Sequence, residues 1–348
     1  MATGQADLIS NLPDDVLGTI VSLLHTRDGC RTQALSRRWR PIWRAAPLNL
    51  EGGGYRLPEQ TVSDILSGHL GPVRRIFIFM IKSLPRRYDL RTGHPISLGM
   101  TEIRGVVCLR IRSRTLRSIG FRHSSYVPSQ ELVIEDAPCL ERARLQPFGT
   151  DNSVVTFRVI HAPKLEMFSQ LMNTVRLTTT MHTVKILELE GVGDDLDPVL
   201  DLSFLKFFPC LERLYIYLNS EIWFSHPLSK NVRTYVSLDD PIECLEHRLK
   251  KVALKIYNGK GPIVDFARFL ILNAKVLERM EIGLDGNHDD EWMANEKRKL
   301  RVEDRASQDA QFEFKRSSWS FLAHMGANLH YMSKTDPFYT FFDGYVAL

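Results

Sequence analysis

The side chains that could do chemistry are few, and they do not combine into a recognisable active site. The segment His288–Glu291 is the densest group of metal-ligating residue types. Adjacent residues in a solvated loop rarely converge on one ion, so we interpret Asp285–Asp290 as a polar loop and do not assign a metal to the cluster. Gly52–Gly54 lack the strand, helix and Lys-Ser/Thr pair of a phosphate-binding loop, and no nucleophile elbow, metal triad or dinucleotide fingerprint is present. We predict a non-catalytic protein with no metal and no cofactor.

Cysteine usage and charge indicate the class of protein. The five cysteines are odd in number, widely spread and without CxxC spacing, which is typical of reduced thiols in an intracellular protein. No signal peptide is visible, and the longest strongly apolar run, Ile76–Ile81, is too short to span a bilayer. We expect the cytoplasm, the nucleus or both. The net charge of +4 does not predict a nucleic-acid-binding protein.

The segment Asp7–Leu50 has the strongest structural pattern. Its first apolar stripe has helical spacing and consists of Val16, Leu17, Ile20, Leu23 and Leu24. A second stripe consists of Leu35, Trp39, Ile42 and Trp43. Asn11 is the predicted N-cap and Pro13 the first-turn proline of the first helix. Pro41 should bend or restart the second helix, and a short helix should begin near Thr26.

This segment has more apolar residues than three short helices can hide among themselves. About 40 residues cannot bury enough surface to stand alone, so either a partner covers the excess or the helices pack on the rest of the chain. A partner covering a handful of these side chains gains on the order of 10 kcal/mol before association costs. The arginines of the segment suit a solvated helix face better than a nucleic-acid site.

The same residues resemble the F-box of plant F-box proteins that carry leucine-rich repeats and a C-terminal FBD domain. The matching elements are Leu12–Leu17 (LPDDVL), Ser22–Leu24, Arg31-Thr32, Leu35–Arg40 (LSRRWR) and Trp43. His25 departs from the family, which usually has proline there. The resemblance implies a three-helix unit that docks on the Skp adaptor of a cullin-RING ubiquitin ligase. The docking residues it implies are Leu12, Pro13, Val16, Leu17, Ile20, Leu23, Leu24, Leu35 and Trp39.

Internal repetition follows the F-box. The element Ala-Pro-x-Leu-Glu occurs at Ala137–Glu141 and Ala162–Glu166, and Pro209–Glu212 repeats part of it. Short apolar strands accompany these elements, and a period in the twenties is typical of a solenoid, in which neighbouring copies share one core. This resembles degenerate leucine-rich repeats. Ile81 and Glu102 are predicted to be joined only by a loop, which would shorten the solenoid.

Pro241–Gly283 is predicted to fold as strand, turn, helix and strand, and it resembles the FBD domain. The predicted fold class is α+β with repeats: a three-helix F-box, a short irregular solenoid of parallel strands and a capping FBD unit. The predicted divisions are a tail (1–6), F-box (7–50), linker (51–57), shortened repeats (58–240), FBD domain (241–283) and a C-terminal extension (284–348).

Two functions follow from the resemblance. The first is the substrate-recognition adaptor of a Skp–cullin–F-box ubiquitin ligase, in which the F-box docks on the Skp adaptor and the repeats bind a target protein. The alternative is an F-box interaction protein that is not assembled into a working ligase, suggested by His25 and by the shortened repeats. Neither function involves nucleic acid or a membrane, and the target protein is unknown.

Overall fold

The structure is a computed structural model of the 348-residue chain. It describes residues 8–9, 11–24, 26–52, 69–79, 86–91, 97–101, 106–122, 129–146, 154–171, 175–192, 202–219, 241–257, 259–260, 262–284 and 288–316. The predicted tail (1–6), His25 and the end of the C-terminal extension lie outside these residues. No helix in the described ranges is long and apolar enough to cross a membrane.

Three helices form the N-terminal unit. They are α1 (Asp14–Leu23), α2 (Thr26–Arg31) and α3 (Trp39–Ala45), with a 3-10 turn at Thr32–Ala34 between the last two. Pro13, and not Asn11, occupies the N-cap of α1. Pro41 lies in the first turn of α3, where a missing N–H costs nothing; Leu35 lies in the preceding turn, so the second stripe is interrupted and the helix starts at Trp39.

Sixteen strands are present in the described residues, and every strand pair is parallel. They are β1 (Leu48–Gly52), β2 (Val73–Phe79), β3 (Arg87–Arg91), β4 (Ser97–Thr101), β5 (Cys108–Arg112), β6 (Ser118–Arg122), β7 (Ser129–Asp136), β8 (Arg142–Gln146), β9 (Val154–Val159), β10 (Met167–Leu171), β11 (Val175–Leu177), β12 (Ile186–Val192), β13 (Arg213–Asn219), β14 (Lys251–Tyr257), β15 (Arg279–Leu284) and β16 (Gln311–Arg316).

The strands form two sheets. The long sheet has the order β1-β2-β4-β6-β8-β10-β12-β13-β14-β15-β16, and the short sheet has the order β11-β9-β7-β5-β3. From β2 to β12 successive strands alternate between the sheets, so each repeat contributes one strand to each. After β12 the connections contain helices instead: a 3-10 helix (Leu202–Phe207), α4 (Glu243–His247), α5 (Pro262–Asn273) and α6 (Asp290–Lys299).

The repeated sequence element is a turn that fixes the register of the long sheet. In the copies Ala137–Glu141 and Ala162–Glu166, the leucine N–H donates to the alanine carbonyl three residues earlier. The following residue then donates to the equivalent position one repeat away, as when Glu166 N–H donates to Glu141 O at 3.0 Å. The same bond recurs up to Gln311, which donates to Glu278 O. The predicted solenoid of stacked repeats is therefore confirmed.

The main core lies between the two sheets, and between the long sheet and the helices. Each repeat contributes inward residues at alternate strand positions, such as Leu187 and Leu189. Aromatic rings run along this core: Phe157 stacks on Phe168 with ring centroids 5.2 Å apart, and Phe168 stacks on Phe208 at 5.9 Å. Because no single repeat encloses these rings, the core exists only when neighbouring repeats are stacked.

Two predictions in the first half of the chain are wrong. Residues 82–102 are not only a loop, because β3 and β4 lie there and β4 joins β2 to β6 in the long sheet. The long sheet is therefore continuous across the predicted gap. The linker predicted at 51–57 does not begin at Glu51, since Glu51 and Gly52 are the last residues of β1; residues 53–57 lie outside the described part.

The FBD segment folds as predicted from its pattern. Strand β14, helix α5 and strand β15 give the strand–helix–strand order, and α6 and β16 add a further strand to the same sheet. A buried polar contact holds α6 in place: the hydroxyl of Tyr257 donates to Glu296 at 2.7 Å. Burial and the neighbouring Glu296 carboxylate raise the pKa of Tyr257 far above its ordinary value, so the phenol stays a donor.

Candidate partner-docking site

The inner side of the F-box helices packs on the first two strands of the long sheet. A buried cluster joins α1 and α3 to β1 and β2, and it consists of Leu17, Val21, Trp39, Ile42, Trp43, Ala46, Leu48, Leu50 and Val73. The strands β1 and β2 thus cover part of the apolar surface that the three helices cannot hide among themselves. The helices are not an independent unit, because their core is completed by strand residues.

The outer side of α1 remains apolar and accessible. Val16 and Ile20 are each 39% exposed and Leu23 is 72% exposed. They follow one another at i, i+4 and i+7, which puts them on one side of the helix, while Leu17 and Val21 lie about 100° further round, on the buried side. We call Val16, Ile20 and Leu23 the outer stripe. Leu35, in the turn before α3, is also exposed, at 67%.

The nine predicted docking residues therefore divide into three groups. Five are exposed: Pro13, Val16, Ile20, Leu23 and Leu35. Leu12 and Leu24 are half-buried. Leu17 and Trp39 are buried in the F-box core, so in this chain they hold the helices together and are not accessible to a partner. The helical stripe in the sequence contained both sides of α1 and did not separate them.

Two exposed apolar residues were missed. Leu8 is 74% and Ile9 is 58% exposed, and they stand just before the Leu-Pro pair that opens the F-box motif. Arg38 ties this end of the segment to the turn before α3: its Nε donates to the Asp14 carboxylate at 2.8 Å, and its guanidinium also donates to the carbonyl of Leu12. An exposed ion pair of this kind adds at most about 1 kcal/mol of stability, so its main effect is on position.

The F-box and the solenoid are joined by a short clasp at the C-terminal end of α3. The Nε2–H of His69 donates to the carbonyl of Ala46 at 2.8 Å, and Gly71 N–H donates to Arg44 O at 2.8 Å. These bonds satisfy carbonyl groups that the helix end leaves without partners. Gly71 is required by space, because a Cβ there would lie 2.4 Å from the Ala46 oxygen.

Close packing also fixes α2 against α3. A Cβ at Gly29 would lie 2.4 Å from the ring of Trp43, which is buried, and the hydroxyl of Thr32 donates to Gly29 O at 2.6 Å. The position of Trp43 is set on its other side by His69, whose ring lies 5.5 Å away in an edge-to-face arrangement. The helices that carry the exposed residues are thus held by side chains from both the F-box and the clasp.

His288 and Asp289, in the predicted polar loop, lead into α6, which begins at Asp290. Asp289 caps α6 by accepting a hydrogen bond from Trp292 N–H at 2.8 Å, and His288 stacks on the Trp292 ring. These side chains therefore have structural contacts of their own. In the part of the chain that the structure describes, no group of three or more His, Cys, Asp and Glu residues is arranged to hold a metal ion.

Three family models match successive parts of this architecture. The F-box domain model matches residues 9–50, which contain α1 to α3. The model for the leucine-rich repeats of the FBD-associated F-box protein At5g56370 matches residues 96–216, and the FBD model matches residues 238–282. The chain thus carries an F-box, leucine-rich repeats and an FBD domain, the three parts of plant F-box/LRR/FBD proteins. The resemblance inferred from the sequence motifs and the predicted fold class are both confirmed.

Individual F-box relatives from Arabidopsis thaliana agree with this assignment. The putative FBD-associated F-box protein At3g12840 is 54% identical over 43 residues, which are 12% of this chain and 24% of the relative. The putative F-box/LRR-repeat protein At3g58880 is 44% identical over 98 residues, 27% of this chain and 22% of the relative. The putative FBD-associated F-box protein At3g60710 is 22% identical over 312 residues, 82% and 85% of the two chains. The alignments with the first two cover only about a quarter of those relatives.

Proposed function

We propose that this F-box/LRR/FBD protein is the substrate-recognition adaptor of a Skp–cullin–F-box ubiquitin ligase. Its F-box docks on a Skp-type adaptor, and its solenoid holds a target protein for ubiquitination. The observation that carries the proposal is the outer stripe: apolar residues at helical spacing remain exposed on α1 after the inner side has been buried. The protein acts as a non-catalytic subunit, in the cytoplasm, the nucleus or both.

The surface available at the F-box supports specific docking. Fully burying a Leu, Ile or Val side chain contributes roughly 1.5–3 kcal/mol, and side chains that are already partly buried contribute less. Burying the outer stripe and Leu35 against a partner therefore contributes several kcal/mol of favourable binding free energy. The entropy lost in association and in side-chain ordering offsets part of it. The exposed Leu8 and Ile9 add further apolar surface in the same N-terminal region. Leu17 and Trp39 contribute indirectly, by fixing the helices.

The junction between F-box and solenoid supports the adaptor role of the whole chain. An adaptor accelerates transfer by raising the effective concentration of its target near the charged enzyme, and this depends on a defined distance between the two sites. Here β1 follows the F-box helices directly and pairs with β2, while the clasp at His69 and Gly71 bonds to the end of α3. A target on the solenoid is therefore held at a fixed position relative to the F-box.

The alternative of an F-box protein outside a working ligase is less well supported than the adaptor role. It depended partly on a solenoid shortened between Ile81 and Glu102, and the long sheet runs through that region without a break. The other reason, His25, lies outside the described residues. The two functions are distinguished by whether the cullin is recovered from cells together with the Skp adaptor.

The test is binding of the full chain to a plant Skp adaptor by isothermal calorimetry. Val16→Asp with Ile20→Asp should abolish binding, because both charges would enter the apolar contact while the inner side of α1 stays intact. The control is Val107→Asp, which places the same substitution at a valine of similar exposure (37%) before β5. It should bind as the wild type does. Equal binding by the Val16/Ile20 variant would mean that α1 is not the docking helix.

A further inference from the structure

The positive charge of the chain is concentrated in one stretch. Residues 86–122 contain nine arginines, no lysine and two acidic residues, a net charge of +7, whereas the whole chain has a net charge of +4. The remainder of the chain is therefore slightly acidic. A charge asymmetry of this size within one chain indicates contact with an anionic partner.

The fold places three of these arginines on the outer surface of the short sheet, and two more are exposed at the ends of the same strands. Strands β3 and β5 are neighbours, and Arg87 on β3 lies on the same side as Arg110 and Arg112 on β5. The intervening Leu109 and Ile111 are buried in the core, so the arginines are on the outer side of the sheet. Arg86 precedes β3 and Arg114 follows β5, and both are exposed. We call Arg86, Arg87, Arg110, Arg112 and Arg114 the arginine patch.

The acidic side chains described near this patch are too few to neutralise it. Glu135 on β7 accepts hydrogen bonds from Arg110, at 3.1 Å, and from Arg112. The bond from Arg112 holds the pKa of Glu135 below its ordinary value. Asp89 lies opposite Arg110 and Asp136 lies opposite Arg112 in the strand register. Asp136 also bonds to His161, and Glu131 is engaged by Arg158. Five guanidinium groups thus outnumber the three carboxylates of Asp89, Glu135 and Asp136, and the contact with Glu135 shows that this surface binds a carboxylate.

We propose that the arginine patch binds an acidic segment of the target protein, an extended stretch with several Asp or Glu side chains. This inference rests on the proposed function, for which it names the class of target. Guanidinium groups match planar carboxylates and can bind them with two parallel hydrogen bonds. Among the described outward residues of β3 and β5 there is no aromatic side chain on which a base could stack, which favours a peptide over a single-stranded nucleic acid.

The experiment measures fluorescence anisotropy of a labelled deca-glutamate peptide with the full chain bound to a Skp adaptor. We expect binding that weakens between 50 mM and 300 mM salt, as for exposed charges. Arg87→Glu with Arg114→Glu should reduce the affinity at least tenfold. Neither side chain makes a hydrogen bond or ion pair with any described residue, so the fold should be unaffected. The control variant, Lys164→Glu with Arg176→Glu, makes the same change of charge. Arg176 is on β11, which lies four strand spacings, about 19 Å, from β3 in the short sheet.

Three outcomes would overturn the proposal. They are no peptide binding, an equal loss in the patch and control variants, and tighter binding of a single-stranded RNA decamer that the patch variant also loses. Adaptor binding is measured in the same samples. If the wild type fails to bind the adaptor, the proposed function is contradicted, and the peptide titration of the full chain alone still decides whether the patch binds acidic segments.

Discussion

Two glycines in the F-box helices should respond to the same substitution with opposite signs. Gly29 in α2 has no room for a methyl group, because its Cβ would lie 2.4 Å from the buried Trp43 ring. Gly18 in α1 has nothing within 4 Å of that position. Alanine in a helix is favoured over glycine by roughly 1 kcal/mol, and overpacking a core costs about 1–3 kcal/mol. Gly18→Ala should therefore stabilise the F-box by about 1 kcal/mol, and Gly29→Ala should destabilise it by up to about 2 kcal/mol.

Native-state hydrogen exchange is the appropriate assay, since it reports the opening free energy of each helix separately. Amides of α1 and α3 should exchange more slowly in Gly18→Ala and faster in Gly29→Ala. Amides of β14 serve as an internal control and should not change. If both substitutions slowed exchange equally, Trp43 would not be packed on α2, and our account of how the docking helices are held would be refuted.

Further predictions concern the buried polar groups near the FBD segment. Tyr257→Phe should lower the free energy of unfolding in urea by about 1–3 kcal/mol, because it leaves the buried Glu296 carboxylate without its hydroxyl donor. The control Tyr88→Phe, at a half-buried site, should cost much less. Stability should be constant at neutral pH and fall as the pH rises above about 9–10. Burial raises the pKa of Cys244 to about 12 and also raises the pKa of Tyr257, so both groups ionise more readily once the chain is unfolded. A flat profile between pH 8 and 11 would contradict this.

The parts of the fold that the sequence predicted are those with dense local patterns. The motif at Leu12–Leu17 and the aromatic pair Trp39 and Trp43 located the F-box helices. The alternation along β14 and the turn after it located the FBD unit. In each case the local period of apolar residues matched the element that formed, so no long-range information was needed.

The errors came from weak patterns and from missing long-range contacts. Arg87–Arg91 alternates polar and apolar residues, as does Ser97–Thr101, but the charges and the nearby glycine made the stretch resemble a loop. The inward residues Tyr88, Leu90, Leu98 and Met100 were a strand signal of period two. For the docking site, the sequence could not show which side of α1 the strands β1 and β2 would cover. That choice separated Leu17 from Val16, although the two are adjacent.

The change from strands to helices behind the long sheet has a geometric consequence. Strands within a sheet are spaced about 4.8 Å apart, whereas helices lying side by side need about 8–10 Å. From β2 to β12 each coil has one strand in each sheet, so its two edges advance equally and the stack can run straight. Beyond β12 the rear of each coil is helical and wider than its front. We therefore expect the later coils to be spaced more widely at the helical rear than at the sheet, and the FBD half of the solenoid to curve more than the half next to the F-box.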